Sequence, residues 1–270
     1  MSLNGQVNEQ YDGYSALARV YDRLNAEIDY KGWADFVESC FACYLKDKPT
    51  LLLDLACGTG SMTLALAERG YDMIGVDGSM DMLSVAYERA AEREVPAPLF
   101  LLQDMRAFEL YGTVGAVTCC LDSINYLLTE DDVRDCFACV HNYLDPDGLF
   151  LFDVNSPYKF ERVYGDNAYV LEDEWTDEDG QDRSVYCGWQ NHYDADTGIC
   201  EFDLSVFEKN ADGSYTRADE QQKERCYGEK TLRNLLEKTG FEVLGIFGGY
   251  DRAPITAESE RWYFVARCKK

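Results

Sequence analysis

Apolar and polar positions along this chain follow two different periods, and the change of period divides it. From residue 51 to residue 155, short continuous apolar runs alternate with segments of helical spacing. The runs at 51–55, 72–76, 99–105, 114–121 and 149–154 read as buried parallel strands, because a strand covered on both faces need not alternate. The segments 61–70, 78–93 and 131–144 read as the helices between them. Ahead of the first strand, residues 14–24 and roughly 30–45 place apolar side chains on one helical face, the second helix stopping before Pro49. Residues 1–13 are polar and carry no pattern.

From 156 to about 226 the period drops to two. The runs 183–189 and 199–207 alternate, and Asp194-Ala-Asp-Thr-Gly198 and Asn210-Ala-Asp-Gly213 are hairpin turns. Helical spacing returns at 229–239 and stops at Gly240; strands 241–247 and 261–267 close the chain. The expectation is an α/β core, 1–155 and 227–270, with an N-terminal helical cover and an antiparallel β insertion, 156–226, placed as a substrate lid.

Composition narrows the functions open to this fold. At 270 residues the chain buries a substantial core, and no apolar run approaches the length of a membrane span. No basic-then-apolar leader opens the sequence, and eleven cysteines in mostly apolar surroundings suit free thiols in a reducing cytoplasm. The pairs Cys40/Cys43 and Cys136/Cys139 lie in helical patterns rather than knuckle turns, so they read as core packing and no metal is expected. Fifty acids against 25 bases give a net charge of −25, which repels nucleic acid and anionic membrane over the whole surface. The acidic run 172–182, with seven carboxylates, reads as a solvated loop.

Chemistry concentrates after the first strand. Cys57-Gly58-Thr59-Gly60 is a tight turn between strand and helix, a junction that brings backbone amides up to a ligand. Asp77, 17 residues past Gly60 at the end of the second strand, is placed to accept both hydroxyls of a ribose. A dinucleotide loop would have a third glycine where Thr63 stands, and Asp54 inside the strand suits a ligand with an ammonium group rather than a pyrophosphate. Asp54, Asp77 and Asp104 end three successive strands.

The pattern Asp54-Leu-Ala56-Cys57-Gly58-Thr59-Gly60 resembles motif I of the class I methyltransferases, Rossmann-like enzymes that use S-adenosylmethionine (SAM). The resemblance covers about 1–155 and 227–270. It implies a seven-stranded sheet of order 3-2-1-4-5-7-6, the seventh strand antiparallel, and SAM as cofactor. It implies that Gly78 and Met82 flank the adenine, that Asp104 accepts from the exocyclic amine, and that the Met105 amide meets a ring nitrogen. The stretch Cys120-Leu-Asp122-Ser-Ile-Asn125-Tyr126-Leu resembles motif IV, the wall against which the methyl is presented, with Asn155 beside it. In a small-molecule branch of this family an N-terminal aromatic closes over the methionine end. That role falls on Tyr14 and, less directly, Trp33, with simple packing of the helical pair as the other reading; Tyr21 is read as packing.

The implied reaction is in-line transfer of a methyl group to a small-molecule acceptor. Candidate groups near the chemistry are Asp122, Asn125, Tyr126 and Asn155, and only two histidines, His141 and His192, are available as bases. A SAM-binding regulator without turnover and an NAD-dependent oxidoreductase are the other readings. The acceptor, the methylated element and the oligomeric state are not legible.

Overall fold

A computed structural model describes residues 17–177 and 179–270; Tyr14, and with it the closing role expected there, lies outside them. Five strands form where the sequence places them, with shifted ends: β1 (Leu51–Leu55), β2 (Asp72–Asp77), β3 (Leu99–Leu102), β4 (Val114–Cys119) and β5 (Leu144–Asn155). The insertion contributes β6 (Ala168–Thr176), β7 (Asp182–Asp194), β8 (Ile199–Lys209) and β9 (Tyr215–Arg225), and the chain ends with β10 (Phe241–Phe247) and β11 (Arg261–Cys268). The large sheet has the order β10-β11-β5-β4-β1-β2-β3, with β11 antiparallel to both neighbours; β6 to β9 form a separate antiparallel sheet.

Side-chain alternation sorts the large sheet's two faces. Leu53, Val117, Phe150 and Phe152 meet α5 (Glu130–Tyr143) and α6 (Glu229–Lys238), while Leu52, Ala116, Leu149 and Leu151 meet α2 (Tyr30–Tyr44) and α3 (Ser61–Ala67). Cys136 packs in the first layer and Cys40 in the second. Short polar side chains start three helices: Asp29 accepts from the Gly32 amide at 2.8 Å, Ser79 from Met82 at 3.3 Å and Thr129 from Asp132 at 3.1 Å. Ser79 thereby opens α4 (Met80–Ala91).

Two sequence expectations need correction here. Of the helix expected over 14–24, the described part forms turns and one short helix, α1 (Tyr21–Leu24). Strand β5 starts at Leu144 rather than 149: the register with β4 skips from Leu144 to Leu149, and Asp147, at φ +63°, sits in the irregularity.

The insertion joins the core through the segment after β4. Asn125 donates from Nδ2 to the Arg225 carbonyl at 2.8 Å and accepts from the Asn155 amide at 2.9 Å, while the Tyr227 hydroxyl donates to the Leu127 carbonyl. Leu17, Val20 and Phe160 pack with Val185, Phe202 and Leu204, so the segment before α1 and the insertion share one apolar cluster.

Candidate functional site

The carboxyl ends of β1, β2, β3 and β4 surround a cavity of about 700 Å³, where an open α/β sheet places its ligand. The turn after β1 is built for close approach. Ala56 and Gly58 lie at φ +55° and +53°, and a Cβ added at Gly58 would meet nothing within 4 Å. Gly60, at φ +77°, acts differently from the expectation. It does not line the cavity; a Cβ there would press on Ala86 at 3.1 Å and Phe100 at 3.3 Å, so its smallness brings the turn against α4 and β3.

The three strand-end acids all reach this cavity. Asp54 is buried and accepts from Thr63 Oγ1 at 2.6 Å and Thr118 Oγ1 at 2.9 Å. Burial outweighs those bonds and pushes its carboxyl up to about 6. Asp77 accepts from the Gly58 amide with one oxygen and from the Ser79 amide with the other, each at 2.8 Å, which ties the β1 turn to the β2 turn. Burial raises its carboxyl despite these amides. Asp104 is different: Arg106 donates to both its oxygens, at 2.6 to 3.1 Å, and reaches Asp132 at 2.9 Å. The guanidinium holds the Asp104 carboxyl below its usual range. Ala56, Cys57, Gly58, Gly78, Met82, Met105 and Cys120 also line the cavity, as expected from the sequence.

Trp33 does not. It is fully buried among Phe36, Tyr250 and Tyr263, with ring centroids 5.6 to 6.1 Å away. The aromatic residues that do face the cavity from this side are Tyr30, three positions earlier on the same helix, and Tyr21, which sequence reasoning assigns to packing. A latch holds this segment down. Asp22 Oδ1 accepts from Thr59 Oγ1 at 2.9 Å and Ser61 Oγ at 2.8 Å, and Arg89 Nη1 donates to Asp22 Oδ2 and to Ser61 Oγ, both at 2.7 Å. Asp22 belongs to the N-terminal stretch that resembles the family's cover, but the sequence assigns it no role of its own.

A second cavity of about 460 Å³ lies on the insertion side and shares Tyr21, Leu121 and Tyr126 with the first. Its charged lining groups are Glu27, Asp29, Asp122, Lys159, Glu224 and Arg261. Leu121 and Asp122 are consecutive left-handed residues, at φ +57° and +55°, a strained backbone that the buried Asp153 carboxylate supports by accepting from both amides, at 2.7 and 3.1 Å. Arg261 bridges Asp153 and Asp122, the latter at 2.7 Å. It is the first residue of β11, and antiparallel pairing sets it opposite Asn155 at the end of β5.

Asn125 and Asn155 do not face either cavity. Both are buried and hydrogen-bonded to each other and to the insertion, so they hold the wall rather than touch a ligand. Asp122 and Tyr126 do face the second cavity, and Tyr126 donates to Gln222 Oε1 at 2.8 Å. Neither histidine is near: His192 is exposed and pairs with Asp166, and His141 Nε2 meets the Lys269 carbonyl at 3.1 Å. Sequence reasoning missed Lys159, Glu224 and Arg261. The available signal was one of misplaced polarity: β9 turns Glu220, Gln222 and Glu224 inward at alternate positions where a covered strand is normally apolar.

Known proteins agree with this geometry. Residues 52–148 match a family model described as a methyltransferase domain. A putative methyltransferase of Bacillus subtilis is 33% identical over 95% of this chain and 98% of its own. A glycine/sarcosine N-methyltransferase of Aphanothece halophytica is 30% identical over 80% of this chain and 75% of its own. The crystal structure of a SAM-dependent methyltransferase from Clostridium acetobutylicum superposes with a TM-score of 0.80 at 30% identity, over 95% of this chain and 99% of that one. With a relative matched end to end and a solved SAM-dependent methyltransferase superposed over nearly the whole of both chains, the chain belongs to the SAM-dependent methyltransferases.

Proposed function

We propose that this protein methylates a small molecule held in the second cavity, with SAM in the first. The observation that carries the reading is the common wall: Tyr21, Leu121 and Tyr126 line both spaces, so a donor and an acceptor meet there without crossing water. SAM supplies a methyl group on a sulfonium whose leaving group is a neutral thioether, so the protein needs chiefly to align and to exclude water.

The residues fit that division. Asp77 keeps acceptor capacity for a ribose, since a carboxylate has about four acceptor sites and the amides of Gly58, Gly78 and Ser79 do not fill them. Asp54 likewise keeps acceptor capacity for an ammonium. Asp104 receives the adenine amine as Arg106 shifts to Asp132, its second partner. Tyr21 and Tyr30, held by the Asp22 latch, close the methionine end. The insertion, through Tyr164, Gln222 and Glu224, covers the acceptor. Several curated relatives methylate small amines, including the glycine/sarcosine enzyme above, which supports an acceptor of this size.

Calorimetry tests the reading. SAM and S-adenosylhomocysteine are expected to bind and NAD is not; tight NAD binding with no heat from SAM would overturn it.

A further inference from the structure

The insertion sheet uses its two faces differently. Leu171, Cys187, Trp189, Leu204, Gln222 and Glu224, drawn from all four strands, line the second cavity. The other face is left to solvent, yet it is not wholly polar: Val170, Tyr186 and Tyr215 are 57, 41 and 53% exposed. Tyr186 and Phe207 are cross-strand neighbours with ring centroids 6.2 Å apart, and the Arg217 guanidinium lies 5.6 Å from the Phe207 ring centre. Exposed aromatic rings with an arginine beside them are a composition that protein interfaces enrich. Strands of 9, 13, 11 and 11 residues turn every second residue outward, about 20 in all, which is the scale of one side of a stable interface.

The strand registers say what covers this face. One row across the four strands reads Glu172, Tyr186, Phe207, Arg217. A second reads His192, Glu201, Lys223, and Asp166, just before β6, extends it by its 2.9 Å contact with His192. In both rows the end on the β6 side is acidic and the end on β9 is basic, in a chain of net charge −25. We propose that this face is the interface of a homodimer, two insertion sheets stacked about a twofold axis that runs along the strands between β7 and β8. Such an axis reverses each row against its copy. Glu172 then faces Arg217 of the second copy and Tyr186 faces its Phe207; Asp166 faces its Lys223 and His192 its Glu201. A twofold axis across the strands would instead set each acid against itself, so the charges select one stacking. Between the two rows, Gly188 puts no side chain in the way of sheets roughly 10 Å apart. Within one chain Arg217 and Lys223 already pair with Asp219 and Glu201, but those contacts are more than half exposed or nearly so and leave the cations accessible to a second partner. The second copy thereby braces, from behind, the sheet that walls the second cavity.

Sedimentation equilibrium of the full chain at neutral pH tests this on the wild type, Glu172→Arg, Arg217→Glu and an equimolar mixture of the two variants. The wild type is expected to dimerise with a dissociation constant in the micromolar range. Each variant alone sets like charges together twice in its own dimer, so its dissociation constant is expected to rise by about tenfold or more. In the mixture, a heterodimer regains opposite charges at both places, and association is expected to return to within about threefold of the wild type. Damage confined to one chain would not be repaired by mixing, so the recovery reports contact between copies. Circular dichroism checks folding, and Asp166→Lys with Lys223→Glu repeats the test on the second row should either of the first variants misfold. A wild type that stays monomeric up to about 100 μM, well above a micromolar dissociation constant, leaves the face to some other partner and overturns the proposal. A dimer that neither variant weakens, or a mixture that does not recover, overturns it as well.

Discussion

Thr63 Oγ1 donates to Asp54 Oδ2 at 2.6 Å, joining the first turn of α3 to the end of β1 at the wall of the first cavity. Thr63 occupies the place where a dinucleotide loop has its third glycine, and Asp54 is the acid that such a loop lacks. The two departures from the dinucleotide pattern are therefore one structural unit: the buried carboxylate requires a donor, and the side chain in the glycine's place supplies it. Thr63→Val keeps the shape and removes the hydroxyl. It is expected to destabilise the protein by about 1.5–3 kcal/mol, the range for a hydrogen bond to a charged group, and to weaken SAM binding. Denaturant titration near pH 8 measures the first effect; no change would mean that water replaces the hydroxyl.

Asp54 also sets a pH dependence. Its carboxyl is raised from 3.8 to about 6 by burial. The folded state therefore keeps a proton that the unfolded chain gives up, and stability falls as pH rises from about 4 to about 6. Many other acids titrate in the same window, so the comparison is with Asp54→Asn. The wild type is expected to lose about 3 kcal/mol relative to the variant across that window, because each pH unit between the two titrations is worth about 1.36 kcal/mol. Binding reverses the sign: an ammonium beside Asp54 favours its ionised form, so SAM affinity rises with pH through about 6 and binding below that pH releases a proton. Calorimetry in two buffers of different ionisation heat detects it; zero proton release at pH 5.5 would remove the ammonium from Asp54's side.

Asp77 joins two turns as well as facing the cavity. Asp77→Ala is expected to weaken SAM binding by about 1.5–3 kcal/mol, from lost hydrogen bonds to a charged group, with near-native circular dichroism. An unchanged dissociation constant would place the ribose elsewhere.

The Arg89 guanidinium collects Asp22, Thr59 and Ser61 at once and so fixes the segment that brings Tyr21 over the cavity. Arg89→Met keeps the stem and removes the charge. The expected outcome is faster amide exchange over residues 21–28 and a SAM affinity lower by about tenfold, or 1.4 kcal/mol. Unaltered exchange there would show that apolar packing of Leu17 and Val20 alone holds the segment.

The sequence was most informative where one residue type has one physical use. Acids ending three buried strands, and a tight glycine turn between strand and helix, have few uses besides a ligand, and all three acids face the cavity. It was least informative where neighbours on one element face different surroundings. Trp33 and Tyr30 share a helix, and only packing against Tyr250 and Tyr263 decides that the first is core while the second faces the cavity. Asn125 follows β4 and Asn155 ends β5, at the edge of the sheet where catalytic residues sit, yet they bind the insertion to the core, a contact between residues up to 100 positions apart. Arg261 and Glu224 belong to the second cavity because β11 returns beside β5 and β9 crosses over motif IV, pairings that no local pattern encodes.

The insertion should be separable from cofactor binding. None of the residues lining the first cavity lies between 156 and 226, whereas Lys159, Tyr164, Gln222 and Glu224 line the second. Replacing residues 165–224 with a short Gly/Ser linker removes β6 to β9 and keeps the glycine turn, the three acids, Tyr30 and the Asp22 latch. SAM affinity is expected to stay within a few-fold, and turnover to vanish, because the methyl group then faces water with no aligned nucleophile. The exposed remnant sets the control. Leu17, Val20 and Phe160 lose their partners Val185, Phe202 and Leu204, so Leu17 and Val20 are changed to Ser in the same variant and folding is checked by circular dichroism. Those changes leave Asp22 and Arg89 in place, so the latch is still available to hold Tyr21 near the cavity. A folded variant whose SAM affinity falls a hundredfold, about 2.7 kcal/mol, would show that the insertion reaches the cofactor through Tyr21 and that the two cavities are not independent binding sites.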